Sequence, residues 1–170
     1  MPERRRRSVF ETGHRRKFLV VVDETPEVES ALVYAANRAK RTGGMIKLLY
    51  VITQDDMSNE WLGVREAYLE EQQNKAKAVF RLAARKLKAQ GVDEAAIEDS
   101  LREGNKSEQI LKLIEEDQDI AVLVLGASTD PAGPGPLVSS LATGKLAGNF
   151  PIPITIVPGT LSAEEIEGLA

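Results

Sequence analysis

The sequence predicts an α/β fold: a single doubly wound domain whose five-stranded parallel sheet carries helices on both faces. Three observations lead there. Short, apolar, β-branched runs recur at Lys17–Asp23 (KFLVVVD), Met45–Ile52 (MIKLLYVI) and Ile120–Leu125 (IAVLVL). They are continuous rather than alternating, as in strands covered on both faces. Between them lie longer stretches with apolar residues three and four apart, the helical period. Strands alternating with helices need crossover connections, and right-handed crossovers leave the doubly wound topologies. At 170 residues the chain has the length of one domain, taking roughly 150 residues per domain. We divide it into a basic, flexible N-terminal tail (1–16), the α/β domain (17–159) and an acidic C-terminal tail (160–170).

Element by element, the first strand stops at Asp23, and Thr25-Pro26 reads as an N-cap followed by proline at the first helical position. Ala31, Leu32, Ala35, Ala36 and Ala39 form the inward stripe of that helix, and Gly43-Gly44 ends it. After the second strand a long helix is expected from about Asn59 to Gln90, its apolar face running through Trp61, Val64, Tyr68, Leu69, Ala76, Val79, Phe80, Ala83 and Leu87. The weakest strand, Ala95–Leu101, carries Glu98 and Asp99 and is predicted at an edge. Asn105 with Glu108 reads as a capping box for the next helix. Ile120–Leu125 is the most apolar strand and is predicted to be central. It leads into a loop rich in proline and glycine (Gly126–Pro136), and a short helix is expected over Ser139–Ala147. Ile154–Val157 is the last strand, confined to an edge by Pro151, Pro153 and Pro158. The final residues read as a short acidic helix or a frayed tail.

Composition removes several function classes. There are no cysteines, so disulfides, thiol nucleophiles and cysteine metal sites are excluded. The one histidine, His14, lies in the basic tail, which leaves the folded body without a base for a Ser-His-Asp triad and without an imidazole metal ligand. No apolar run approaches the ~20 residues of a membrane span, and the run after Arg4–Arg7 is too short for a signal peptide. The reading is a cytoplasmic protein with no membrane partner. Residues 1–17 carry seven cations against two carboxylates, a balance of +5, which leaves −9 for the remaining 153. Such an arm could meet nucleic acid or anionic lipid. No aromatic residue interleaves with the Arg4–Arg7 run, so a stacking platform is missing. The preferred reading is a solvated tail, and nucleic acid is not an expected partner.

Ligands of doubly wound sheets bind beyond the carboxyl ends of the strands, where the strand order reverses. Asp23, Val51 and the loop from Gly126 lie at those ends. The Asp23 carboxylate could accept from a ribose hydroxyl or hold a metal; it could equally serve as a turn residue. Ser139 and Ser140, at the start of the expected helix, would offer hydroxyls and amides to an anion, or simply cap the helix.

Three segments together resemble the universal stress protein family: FLVVVDETPEVESALVYA, then LLYVI, then REGNKSEQILKLIEE with IAVLVLGAST and FPIPITIVPG. The resemblance covers Lys17 to Gly159. It implies an adenine nucleotide, ATP or AMP with magnesium, with Val21, Asp23 and Val51 at the adenosine. Gly126, Thr129, Ser139 and Ser140 fall on the phosphate signature of that family. Two of its glycines are here Thr129 and Ser139. Glycines in such a loop permit positive φ and let amides approach phosphate, and Pro131, Pro134 and Pro136 carry no N–H at all. Weak or absent ATP binding is therefore expected, the alternative being a nucleotide-sensing switch that retains its ligand.

Other readings of the same fold fare worse. A receiver domain needs a strand-end acceptor aspartate and a lysine after the last strand; Asp99 is not plainly the first, and no lysine follows Val157. Gly144-Lys145 continues with Leu146, so no P-loop is present, and no G-x-G-x-x-G follows the first strand. No nucleophile, base and oxyanion site assemble, so the chain is not expected to be an enzyme. Ile154, Thr155, Ile156 and Val157 form a short apolar edge, which predicts a homodimer through that strand. The resemblance implies the same seam. The competing expectation is that Leu161–Leu169 folds back over the edge.

Overall fold

The computed structural model describes residues 4–53 and 62–170. Its strands are β1 (Lys17–Val21), β2 (Met45–Ile52), β3 (Ile97–Glu103), β4 (Ile120–Ala127) and β5 (Ile154–Pro158). The helices are α1 (Val28–Thr42), α2 (Leu62–Ala89), α3 (Lys106–Glu116) and α4 (Ala163–Leu169). All pairings are parallel, in the order β3-β2-β1-β4-β5. Alternation along β1 sends Phe18, Val20 and Val22 into a core with α1, α2 and α4, and Leu19 and Val21 into a second core with α3. That two-sided burial is why the strand reads as a continuous apolar run. A register shift between Lys17 and Phe18 brings Lys17 opposite Ile120 and Phe18 opposite Val122.

Several expected boundaries move. The weak third strand is indeed an edge, but it begins two residues later, because Asp93 caps a short 3-10 turn over Glu94–Ala96. β4 is interior, while β1 takes the middle of the sheet. Asn105 accepts from the Glu108 amide at 3.1 Å, as a cap should. Thr25 does not cap α1: the helix starts at Val28 behind Glu27, which has helical backbone angles and makes no side-chain cap. Gly43, at φ 69°, ends α1 in the left-handed region that glycine tolerates. In α2, Ala76, Phe80, Ala83 and Leu87 are buried as predicted, whereas Val64 is 61% exposed. The expected helix start at Asn59, with Trp61, lies outside the described residues. No helix among the described residues is long and apolar enough to cross a membrane.

The short helix expected over Ser139–Ala147 lies earlier and is irregular: helical backbone runs from Pro136 to Ala142, π-helical over Val138–Ala142, and a separate 3-10 turn follows at Ala147–Asn149. The hydroxyls compete with the backbone here: Thr143 Oγ1 donates to the Ser139 carbonyl at 2.9 Å, and Ser140 Oγ faces the Leu137 carbonyl at 3.5 Å. Gly144 and Gly148 weaken what remains. Ser139 and Ser140 therefore do not stand at a helix N-terminus, and both are exposed.

Residues 4–16 and 162–170 pack against the domain. Ser162 and Glu165 close a reciprocal capping box on α4, and Ile166 is buried in the core it shares with α1. Residues 4–16 lie against the corner between α3 and β4. Arg7 donates to the Ile114 and Asp117 carbonyls at 2.7 and 3.1 Å, Val9 is buried, and His14 Nδ1 meets Asp119 Oδ1 at 2.7 Å.

Candidate functional site

The strand order reverses between β1 and β4, so the crevice above their carboxyl ends is the place to look. Asp23 stands there. One of its oxygens accepts from the Thr25 amide at 2.8 Å and from the Thr25 hydroxyl; the other faces Lys106 Nζ at 4.0 Å. The carboxylate thus closes the turn that leads from β1 to α1. Burial, then Glu24 and Asp23, push the Tyr50 hydroxyl above its ordinary range, which marks this end of the sheet as negative.

On the facing side, the start of α1 presses against Gly126. A Cβ on that residue would lie 2.0 Å from the Glu27 carbonyl oxygen. The glycine is needed for that approach, with or without a ligand. The loop beyond it folds on itself. The Ser128 amide donates to the Pro134 carbonyl at 2.9 Å, Asp130 to Ser128 Oγ at 3.1 Å and Ala132 to Asp130 Oδ1 at 2.8 Å. Gly133 donates to the Asp130 carbonyl and Ser139 to that of Gly135. With three prolines lacking an N–H, most donors of the loop are absent or already in use. Positive φ falls on Gly133 and Gly135; no non-glycine residue among those described adopts it, so Thr129 avoids the left-handed conformation.

The crevice that remains is a cavity of about 110 Å³. Val21, Asp23, Thr25, Glu27, Lys106 and Gly126 line it, together with Pro134–Val138. Ligand pockets for drug-sized molecules run to roughly 300–1,000 Å³, so an adenine nucleotide does not fit this cavity as it stands. Its charged side chains are two carboxylates and one ammonium, a poor setting for phosphates. Of the seven residues expected at the nucleotide, Val21, Asp23 and Gly126 meet in the cavity. Val51 is buried in the α3-side core, and Thr129, Ser139 and Ser140 lie outside the lining. Among the described residues no cluster of three or more His, Asp or Glu side chains is arranged to hold a metal.

Residues 14–158 match the Universal stress protein family. The chain belongs to that family. No curated protein matches the chain. The universal stress protein UspA from Lactobacillus plantarum superposes with a TM-score of 0.65 at 18% identity, covering 84% of this chain and 97% of that one. A universal stress protein from Archaeoglobus fulgidus in complex with dAMP gives 0.55 at 16% identity, over 84% and 97%. A universal stress protein in complex with cAMP gives 0.57 at 15%, over 86% and 98%. At these identities the likeness shows the universal stress fold alone.

The sequence did not point to Lys106 or Glu27 as lining residues. Nor did it reveal a charged cluster at the opposite end of the sheet. There Lys17 Nζ lies 3.0 Å from Glu98 and 2.8 Å from Asp117, and Lys47 Nζ lies 3.1 and 3.2 Å from the same two oxygens. Lys47 is the one charged residue in MIKLLYVI, and a cation inside a buried strand was the available signal. Burial opposes charge on Glu98 and Asp117, but hydrogen bonds from Lys17 and Lys47 outweigh it and hold both carboxyls below their ordinary range. Burial likewise opposes the Lys17 ammonium, and the same bonds reverse that and raise it.

Proposed function

We propose that this chain is a dimeric stress-response interaction module, cytoplasmic and not an enzyme, whose adenine-nucleotide site binds ATP or AMP weakly or not at all. The observation that carries this reading is the small cavity of about 110 Å³ with its carboxylate-rich lining. The used amides of the Ser128–Ser139 loop support it. Mass spectrometry of small molecules released from purified, denatured protein is expected to find no nucleotide, and ATP with magnesium is expected to leave the melting temperature unchanged. Retained ATP or AMP, or a rise of several degrees, overturns the reading.

The homodimer rests on β5. Leu123 donates to the Pro153 carbonyl and Gly159 to that of Ala127, which fixes the phase of the ladder. Amides of Thr155 and Val157 therefore face β4, and those of Ile154 and Ile156 face outward. Ile156 is 40% exposed, and α4 packs in the α1-side core. An antiparallel match between two copies would pair those outward groups. Sedimentation at micromolar concentration is expected to give twice 18.6 kDa, and Ile156→Asp a monomer. A wild-type monomer, or a dimer indifferent to the substitution, refutes it.

A second reading, a nucleotide-sensing switch, is favoured by Lys106 beside Asp23 and by the nucleotides in the two related structures. In that case the Ser128–Leu137 loop would have to swing away from the crevice, and the retained nucleotide sought above would reveal it.

A further inference from the structure

The basic N-terminal arm is held as a closed loop, and what it holds outward is a phenylalanine. Arg7 fastens one end of the arm to the last carbonyls of α3, and His14 fastens the other to Asp119. The Lys17 amide adds a bond to the Asp119 carbonyl at 2.9 Å. Between the two anchors, the Glu11 amide donates to the Ser8 carbonyl at 3.0 Å and closes a turn over Val9 and Phe10. Val9 is buried beneath the turn. Phe10, at its tip, is 83% exposed, the most exposed large apolar side chain among the described residues.

The charge around Phe10 is one-sided. Arg4, Arg5 and Arg6 precede it and Arg15 follows it, all exposed, with Glu11 the one carboxylate of the arm among the described residues. A cleft of about 810 Å³ opens beside the arm; Arg4, Arg5 and Arg7 line it with Leu111 and Pro151, and Glu115 is its one acidic side chain. Beyond residue 17 the chain carries −9, so the net positive charge of the chain is gathered in the arm.

We propose that this arm is a docking surface for an anionic phospholipid bilayer. Phe10 enters the interface between headgroups and acyl chains, and the arginines meet the lipid phosphates and carboxylates. An apolar anchor plus a basic cluster is the pair of signals that peripheral membrane binding requires. Charge complementarity selects the anionic leaflet. A single aromatic on a short loop selects a bilayer over a polynucleotide, which takes a run of stacking rings along a basic groove. The surface lies at the opposite end of the sheet from the nucleotide crevice and stands whatever that crevice binds.

The test is co-sedimentation of the full chain with phosphatidylcholine vesicles, with and without phosphatidylserine, at low and high salt. Binding is expected only with phosphatidylserine, and high salt should weaken it. At about 1 kcal/mol per cation near the surface, Arg5→Ser with Arg6→Ser should weaken binding roughly thirtyfold. Phe10→Ser should weaken it by roughly tenfold through lost apolar burial. All three positions are exposed, so the variants should fold. Failure to bind phosphatidylserine vesicles, equal binding to pure phosphatidylcholine, or binding indifferent to both sets of substitutions overturns the proposal. So does retention of single-stranded DNA by a protein that ignores the vesicles.

Discussion

The two ends of the sheet solve opposite problems. At the carboxyl ends of β1 and β4, Asp23, Glu27 and Lys106 surround a small cavity beside a proline loop whose hydrogen bonds run within itself, and the Glu27 backbone packs directly on Gly126. At the amino ends, two lysines and two carboxylates tie β1, β2, β3 and the end of α3 through four ion pairs between 2.8 and 3.2 Å. One end is closed by shape, the other by charge. The difference teaches where each should fail. Shape tolerates pH and salt but not an added methyl group; charge tolerates volume changes but not the loss of a single partner.

The largest effect should come from breaking the charged end. Asp117→Ala leaves two part-buried lysines sharing Glu98 alone, and should destabilise the protein by about 3 kcal/mol in urea unfolding. Removing a balanced pair, Lys47→Met with Glu98→Leu, leaves Lys17 with Asp117 and should change stability by less than about 1 kcal/mol. Equal losses from the two variants would mean that bulk, rather than pairing, holds this end.

At the other end Gly126→Ala should destabilise by about 2 kcal/mol, because the new methyl group meets the Glu27 carbonyl and displaces the start of α1. The loss should be the same with and without ATP; a loss confined to nucleotide binding would return Gly126 to the phosphates.

Acid distinguishes the ends more gently. Glu98 and Asp117 have lowered values when folded, so the unfolded chain binds more protons and stability falls as pH drops from the ordinary carboxylate range through those lowered values. Lys17 is raised, so its contribution is complete below its ordinary value of 10.5 and is lost as pH rises through the higher folded one. The contributions of these three groups should therefore be in full force from roughly pH 5 to 10, and Lys47→Met with Glu98→Leu should soften the acid limb. An acid limb identical in that variant would place the protons elsewhere. The smallest loss from a single substitution should come from Asp23→Ala, which removes the Thr25 hydrogen bonds and should lower stability by about 1 kcal/mol in thermal unfolding. A larger loss would mean that the turn orders α1 as well as itself.

The fold was legible because its strands bury both faces: Phe18–Val22 and Ile120–Leu125 are unbroken apolar runs, and Gly43 and Asn105 mark their helix ends by local chemistry alone. The irregular, π-wound helix from Pro136 to Ala142 was less so. Its apolar spacing suited a helix, but Ser139, Ser140 and Thr143 prefer their own backbone bonds, which periodicity does not register. At the site, sequence found the crevice and the shortage of donors. It did not find that the remaining amides pair within the loop, which depends on the path Gly133 and Gly135 allow. The charged cluster escaped for another reason: Lys17, Lys47, Glu98 and Asp117 are far apart in sequence and meet only through the parallel register.

The place of β1 in the middle of the sheet has a consequence for how the chain assembles. Its partner β2 arrives after one helix, so those strands can close a local loop early, with β3 adding to β2. Its other partner, β4, comes from about a hundred residues away, and the entropy of that closure is met only when the second half is present. The bond from the Lys17 amide to Asp119 and the salt bridge from its side chain to Asp117 sit at the first residues to touch across that divide. They make the foot of β1 a latch between an early half and a late half. Truncating Leu48 to alanine should slow refolding more than truncating Leu123, which should act mainly by speeding unfolding.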